Sequence, residues 1–573
     1  MQTNFRTIAF IGALALVVYG LLQPVDQEIR WLVCLWIAAP LLGVAAWLSR
    51  SPMPRGLHRS VHNIGLFVAL GFTLLSLQLL RQQMVQASAI YNRVNIDAET
   101  GQITSNVRPV LDSQRVVRGK IFARDEILLV DSEVVQDGFV RRTYPYLNRF
   151  ADAAAFSNLV GFFSTRFGQA GLEATYSEYL SGERGSELSR LQNDLLGKPQ
   201  IGNNLHLTID ANLQARAKAL LGGRYGSVVV LDTSTGAVRA MVSHPGFDPR
   251  GLSFDYATDD WAAENVRISE YWQYLNSDAA GQPLLNRPTQ GQYPPGSTFK
   301  TVTAVGGLEH PDVGKPNDIR CFNELQTETG APPVVNAVDN LKSLTGDPST
   351  LEKVYAYSCN VAFAQYALRL GAERMAEQAE LFDIYRPQDA PDIYPNFLEL
   401  PTASSLLSVE PDFLQRRAAL ADTGYGQGQL LVTPLQMTMV AAAIANDGIM
   451  MRPYMVERIM RPEDGGMIFE QVPRTIRRTM SEETARKMRD NMQAVGKYGF
   501  GKDVNIVPGV MIGGKSGTGE HVPGAPPHAW FIAVAPIEQP RYAICAMVER
   551  GGEGSTVAAT LAGQVLNAAF ELE

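Results

Sequence analysis

The chain has 573 residues, room for roughly three or four domains of about 150 residues each. Fifty Lys and Arg against 58 Asp and Glu leave a formal charge of −8, the wrong balance for a nucleic-acid surface. With 46% hydrophobic and 19% charged residues the chain is neither disordered nor fibrous; four Cys exclude a disulfide scaffold, and seven scattered His with no H-E-x-x-H or paired C-x-x-C give a zinc site little support.

Three stretches carry no charged side chain: Thr7 to Gln23, Trp31 to Ser49 and Asn63 to Leu80. Each is about the 17–20 residues that cross a bilayer as a helix. A signal peptide for the first and buried core helices for the others are the alternatives, with a single anchor near Asn63 to Leu80 as the fallback. Gln23-Pro24-Val25-Asp26 offers no small-residue cleavage site. The loop after the first stretch holds Asp26, Glu28 and Arg30, whereas the loop after the second holds Arg50, Arg55 and Arg59 with no acid. Basic loops stay cytoplasmic. The expectation is a plasma-membrane module over residues 1–85, with spans near 7–23, 31–49 and 63–80. It puts the N-terminus in the cytoplasm and everything after Arg81 outside.

Residues 86–200 mix short strand-like runs (Val107 to Leu111, Ile127 to Val130) with polar turns, and the charged segment Glu183 to Lys198 reads as a linker or short helix. The texture changes in 201–573. Leu205 to Asp210 alternates as a strand, Asn212 to Leu221 reads as a helix, and Ser227 to Asp232 with Ala237 to Val242 reads as a hairpin. Val361 to Leu370 and Leu435 to Asn446 are predicted helices. Val510 to Gly514 and Trp530 to Ala535 are predicted paired strands, and Asn567 to Glu573 closes on a helix. This order predicts an α+β domain on an antiparallel sheet with flanking helices.

Three clusters could carry chemistry. Ser297 and Lys300 lie three apart near the start of a helix, on one face. A lysine whose pKa is depressed can take a serine's proton, and helix-start N–H groups suit an oxyanion. Ser358-Cys359-Asn360 precedes the helix Val361 to Leu370, where two polar groups reach one site only from a turn; an ordinary N-cap is the plain alternative. Lys515-Ser516-Gly517-Thr518 follows the apolar run Val510 to Ile512. Gly517 there suggests close backbone approach, against the plain reading of an edge turn with a gatekeeper lysine. Gly509 to Ser516 also spells G-x-x-x-x-G-K-[ST], but Gly517 to Gly524 is a poor helix sequence, so the phosphate-loop reading fails.

Together S-x-x-K, S-x-N and K-[ST]-G resemble the signature of penicillin-binding proteins and serine β-lactamases. Tyr293 to Ser297, Gly424 to Gly428 with Thr433 to Gln436, and Pro527 to Phe531 resemble segments of the high-molecular-weight enzymes. Upstream, Arg118-Gly119-Lys120-Ile121 resembles the R-G-x-I start of the class B pedestal, and Gly171-Leu172-Glu173 its G-x-E segment. Ala123, Asp125 and Glu126 depart from the usual Asp, Asn and Gly, and three spans depart from the usual one. The short pedestal most resembles the penicillin-binding protein A type.

The resemblance implies a pedestal or dimerisation-like domain over 86–200 and a penicillin-binding, β-lactamase-like transpeptidase domain over 201–573. It implies that Ser297 attacks the D-Ala-D-Ala carbonyl of a peptidoglycan stem peptide, with Lys300 as base. Ser358 relays the proton and Asn360 orients Lys300 and substrate. Lys515 supplies positive potential, and Ser516 and Thr518 bind the substrate carboxylate. The oxyanion sits between the N–H groups of Ser297 and Thr518, beside Gly517. No metal or cofactor is implied, β-lactams would acylate the same serine, and a SEDS-family glycosyltransferase is the expected membrane partner. The rivals are a β-lactamase or D,D-carboxypeptidase, a β-lactam sensor and a non-catalytic scaffold. No base for water attack is visible, the segments Met1 to Arg6 and Arg50 to His62 are short for an effector, and all three motifs are intact. With Cys34 in a span, Cys321, Cys359 and Cys545 make an odd set. A Cys321–Cys359 bridge and an unpaired, buried Cys359 are both open.

Overall fold

The computed structural model describes residues 2–23, 28–48, 57–84, 86, 95–96, 103–104, 113–184, 200–312, 319–397 and 399–572. The expected strand Val107 to Leu111, most of the segment Glu183 to Lys198, and the loop residues Asp26, Arg50 and Arg55 lie outside the described residues. The chain forms two compact units, Met1–Gln114 and Arg115–Glu573.

The first unit holds helices α1 (Gln2–Leu21), α2 (Glu28–Leu48) and α3 (Leu57–Met84). Among the described residues two stretches, Arg30–Leu48 and Asn63–Gln82, are long and apolar enough to cross a membrane; Phe5–Leu21 is shorter. Their faces fit that role, since Phe5, Trp36, Trp47, Phe67 and Phe72 are all exposed. Ala13, Val17 and Ala38 form a small core between α1 and α2. Arg81 donates to Gly20 O at 3.0 Å and lies over the Trp31 ring, and Trp31 donates to Gln78, so the ends of the three helices are tied.

The second unit opens with β1 (Ile121–Phe122), β2 (Leu128–Val134) and β3 (Val140–Thr143). It continues through β4 (Asn204–Leu207), α4 (Ala211–Leu221), β5 (Gly226–Asp232) and β6 (Val238–His244). Asp210 caps α4 by accepting from Leu213 N–H. Then come α5 (Lys300–Glu309), α6 (Asn360–Leu381, kinked at Gly371) and α7 (Pro434–Ala445). Strands β7 (Val456–Met460) and β8 (Met467–Glu470) lead to α8 (Glu482–Lys497), and β9 (Gly513–Gly519), β10 (His528–Ala535), β11 (Tyr542–Val548) and α9 (Ala559–Glu571) follow.

The main sheet has five antiparallel strands in the order β6-β5-β11-β10-β9. Its inner strands are buried on both faces, and alternate side chains enter different cores. Trp530, Ile532 and Val534 of β10 join the larger core, while Phe531, Ala533 and Ala535 join the smaller one under α4 and α9. Every residue of α7 is buried, as a helix apolar all round must be. A second sheet, β8-β7-β4-β1-β2-β3, combines the early strands with β4, β7 and β8. Beside it Glu173 is fully buried and accepts from Arg118 Nε at 2.9 Å and Arg142 Nε at 2.8 Å. Burial works against that carboxylate, but Arg142 and Arg118 outweigh it and hold its pKa below the ordinary range.

The hairpin β5–β6, the helices α4 and α7, and the α+β class match the sequence expectations, while α6 and α9 run longer than expected. One strand starts later than expected. Val510 to Ile512 is not a ladder segment: Ile512 N–H donates to Asn505 and Met511 O accepts from Ile537 N–H. The strand begins at Gly513 and contains the Lys515 motif instead of preceding it.

Candidate active site

Pro294-Pro295-Gly296 leads into one 3-10 turn, Gly296–Phe299, that runs directly into α5. Ser297 sits in that turn and Lys300 opens the helix. Gly296 has φ +54, and a Cβ there would stand 2.3 Å from Thr518 O. From the other side, a Cβ on Gly517 would lie 2.5 Å from Pro295 O. Two backbones meet where no side chain fits, so the turn bearing Ser297 is pressed onto the strand bearing Lys515, Ser516 and Thr518.

Ser358 and Asn360 flank Cys359, the N-cap of α6. Ser358 adopts φ +56, a left-handed conformation uncommon outside glycine. The turn brings both polar side chains to Lys300. Lys300 Nζ donates to Ser358 O at 2.7 Å, Ser358 Oγ at 3.0 Å and Asn360 Oδ1 at 2.6 Å. Lys515 Nζ donates to the same Ser358 Oγ at 3.0 Å and to Ser516 O at 2.9 Å. One hydroxyl therefore receives both amines. Its two lone pairs are occupied, and its own hydrogen is left to donate elsewhere.

Both lysines are fully buried. Burial, and then the charge of Lys515, bring the Lys300 pKa well below 10.5; burial brings Lys515 down to about 7. Aromatic faces stand beside them, Phe363 at 5.6 Å from Lys300 Nζ and Tyr355 at 5.8 Å from Lys515 Nζ. In front lies a cavity of about 500 Å³ whose wall includes Ser297, Ser358, Asn360, Ser516, Gly517 and Thr518.

All eight residues singled out in the sequence thus converge: six line the cavity, and the two lysines join it through Ser358. The phosphate-loop match has no helix after its lysine, because β9 continues extended to Gly519. Cys321 and Cys359 are bridged, while Cys34 and Cys545 are free and buried. Sequence reasoning missed Gln427, which donates to Thr518 O at 3.3 Å, although it lies in the quoted Gly424 to Gly428 segment. It also missed Asn336 and the carbonyl of Val335, which brace Asn360 and Val361 from a loop with no recognisable spacing.

A serine on a tight turn, in a cavity it shares with a hydroxyl held by two buried amines, is the arrangement of a serine acyltransferase, and the chain belongs to the penicillin-binding protein transpeptidase family. The family model for the penicillin-binding protein transpeptidase domain matches residues 226–567, and that for the penicillin-binding protein A dimerisation domain matches residues 118–205. Among curated relatives, the peptidoglycan D,D-transpeptidase PbpA of Mycolicibacterium smegmatis is 34% identical over 81% of this chain and 91% of its own. The corresponding protein of Mycobacterium tuberculosis H37Rv is 32% identical over 82% and 92%. Among solved structures, penicillin-binding protein A of M. tuberculosis as its ceftriaxone acyl-enzyme superposes with TM-score 0.70 at 30% identity, covering 80% of this chain and 99% of that one. Its imipenem acyl-enzyme gives TM-score 0.70 at 31% identity, covering 80% and 100%.

Proposed function

We propose that this protein is a membrane-anchored peptidoglycan D,D-transpeptidase that works through a serine acyl-enzyme and is inhibited by β-lactams. The observation that carries this reading is the Ser358 hydroxyl held between Lys300 and Lys515 in the cavity that also contains Ser297. Ser297 Oγ attacks the carbonyl between the two D-alanines, and its proton passes to Lys300, which as a neutral amine gives up one of its three donated bonds to present its lone pair and whose depressed pKa suits a base. The N–H groups of Ser297 and Thr518 hold the oxyanion next to Gly517. Ser358 donates its free hydrogen to the leaving D-alanine nitrogen and is reprotonated from Lys300. Asn360 keeps Lys300 aimed at Ser358, Lys515 supplies positive potential, and Ser516 and Thr518 receive the substrate carboxylate. An amine of a neighbouring stem then attacks the Ser297 ester. The new amide forms, the ester C–O bond breaks, and a proton returns to Ser297.

In this reading residues 1–85 are the membrane module, 86–200 the pedestal and 201–573 the transpeptidase domain. The N-terminus is cytoplasmic and the site extracytoplasmic, as the charge asymmetry of the loops supports. The anchor docks a SEDS-family glycosyltransferase.

Intact mass of the detergent-solubilised full-length protein with benzylpenicillin tests the reading. The expected outcome is a single persistent adduct, absent from Ser297→Ala. An adduct that vanishes within seconds would identify a hydrolase, and a folded wild-type protein that never acylates would identify a scaffold.

A further inference from the structure

The segment 319–349 is closed at its base by the pairing of Ile319 with Ser349 and carries a short hairpin, Glu324–Leu325 with Val334–Val335. It supplies Ala337, Val338 and Leu341 to the cavity wall. Four ties bind it to the Ser358-Cys359-Asn360 turn and the first turns of α6. Cys321 is disulfide-bonded to Cys359. Val335 O accepts from Asn360 Nδ2 at 2.9 Å, Asn336 Oδ1 accepts from Val361 N–H at 3.2 Å, and Gln365 Nε2 donates to Arg320 O at 2.9 Å. Asn336 Nδ2 in turn donates to Phe322 O at 2.7 Å, which fixes the Asn336 side chain beside the bridge.

A carboxamide has one accepting end and one donating end, of nearly identical shape. A backbone carbonyl can face only the donating end. Val335 O therefore decides which end of Asn360 meets Lys300, and the decision is the productive one, because Lys300 Nζ needs an acceptor there. We propose that the segment 319–349 is a positioning element of the active site, in which Asn336 and the Cys321–Cys359 bridge hold Val335 O so that Asn360 turns its oxygen toward Lys300. This rests on the reading of Lys300 as the base. Cys321 and Asn336 are positioning residues: they act through Asn360 and do not line the cavity themselves.

The groups around Lys300 make the consequence measurable. Lys515 faces it from β9, and the Tyr355 phenol, on the helix Leu351–Ala356, is engaged with Thr301 Oγ1. Glu520 and Glu553 line the cavity beyond. Within this set, Asn360 Oδ1 favours the ammonium form of Lys300, as an acceptor must. Losing it makes Lys300 easier to deprotonate while leaving the amine misaimed.

The test is the second-order rate of benzylpenicillin acylation against pH, on the full-length protein, for wild type, Asn336→Ala and Cys321→Ala, each checked by melting temperature. The wild-type rate is expected to rise from an acid limb to a plateau. Both variants are expected to lower the plateau by about tenfold or more and to move the acid limb to lower pH. Gln365→Ala, which removes the tie to Arg320 together with a bond to Val361 O within α6, is a milder probe should the others not fold, and it moves the limb in the same sense. A lower rate with an unmoved limb would mean a merely structural role and overturn the proposal, as would variants that acylate like wild type. A wild-type profile with no acid limb would instead sink the reading of Lys300 as base, and this proposal with it.

Discussion

Burying an amine is costly, and Lys515 is the residue where that cost is most readily measured. Its pKa falls from an ordinary lysine value of 10.5 to about 7 in the fold. Between those values the unfolded chain binds a proton that the native protein refuses, so native stability is lost as pH drops through this window. Above it both states are neutral and the penalty is gone; below it the penalty is complete. Lys515→Met keeps the length and removes the charge. It is expected to raise the melting temperature at pH 6 by on the order of a few °C, with a gain that fades toward pH 10, and to abolish acylation. A scan of melting temperature against pH checks it, and an equal gain at both ends would contradict the shifted pKa. Site residues of this kind were legible because each belongs to a short run whose spacing has chemical meaning. Asn336 was not, since an asparagine in a loop bears no fixed offset to the serine or lysines it serves.

At the scale of elements, the contact that assembles the site is between a turn and a strand. Gly517→Ala would drive a methyl into the carbonyl of Pro295, 2.5 Å away, and push β9 from the turn that carries Ser297. The strand keeps its ladder to β10 and its place in the sheet. The expected outcome is a folded protein whose benzylpenicillin acylation is slowed about a hundredfold, measured as adduct formation over time; a rate within twofold of wild type would mean that the contact yields. Helices and the β5–β6 hairpin were readable in advance because apolar periodicity and turn residues set them locally. The start of β9 was not. Val510, Met511 and Ile512 look like a strand by composition, yet Asn505 and Ile537 take backbone partners that a ladder would need. The disulfide was left open between a Cys321–Cys359 bridge and an unpaired, buried Cys359, and the fold forms the bridge.

At the scale of the whole molecule, the membrane module and the catalytic unit were both visible in the sequence, one through uncharged runs and the other through its motifs. The second sheet was not visible, because it pairs β1 in parallel with β4 and so joins segments on either side of residue 200. The Glu173 cluster could be read only as a motif, without the burial that makes its two arginines necessary. The proposed glycosyltransferase partner belongs to this scale as well. Deleting Met1 to Arg59 should abolish its co-purification from membranes while benzylpenicillin still acylates Ser297, and retained co-purification would remove the anchor from that role. The strand order of the main sheet bears on how the protein is made. β5 and β6 leave the ribosome before Ser297, whereas β11, which must lie beside β5, and β9, which bears Lys515, are translated long after it. A chain still in synthesis therefore has its serine and Lys300 but neither the second amine nor three of the five strands of the main sheet. On the proposed role of Lys515 it cannot be acylated until translation is nearly complete, and antibiotic bound per molecule then counts only finished, folded copies.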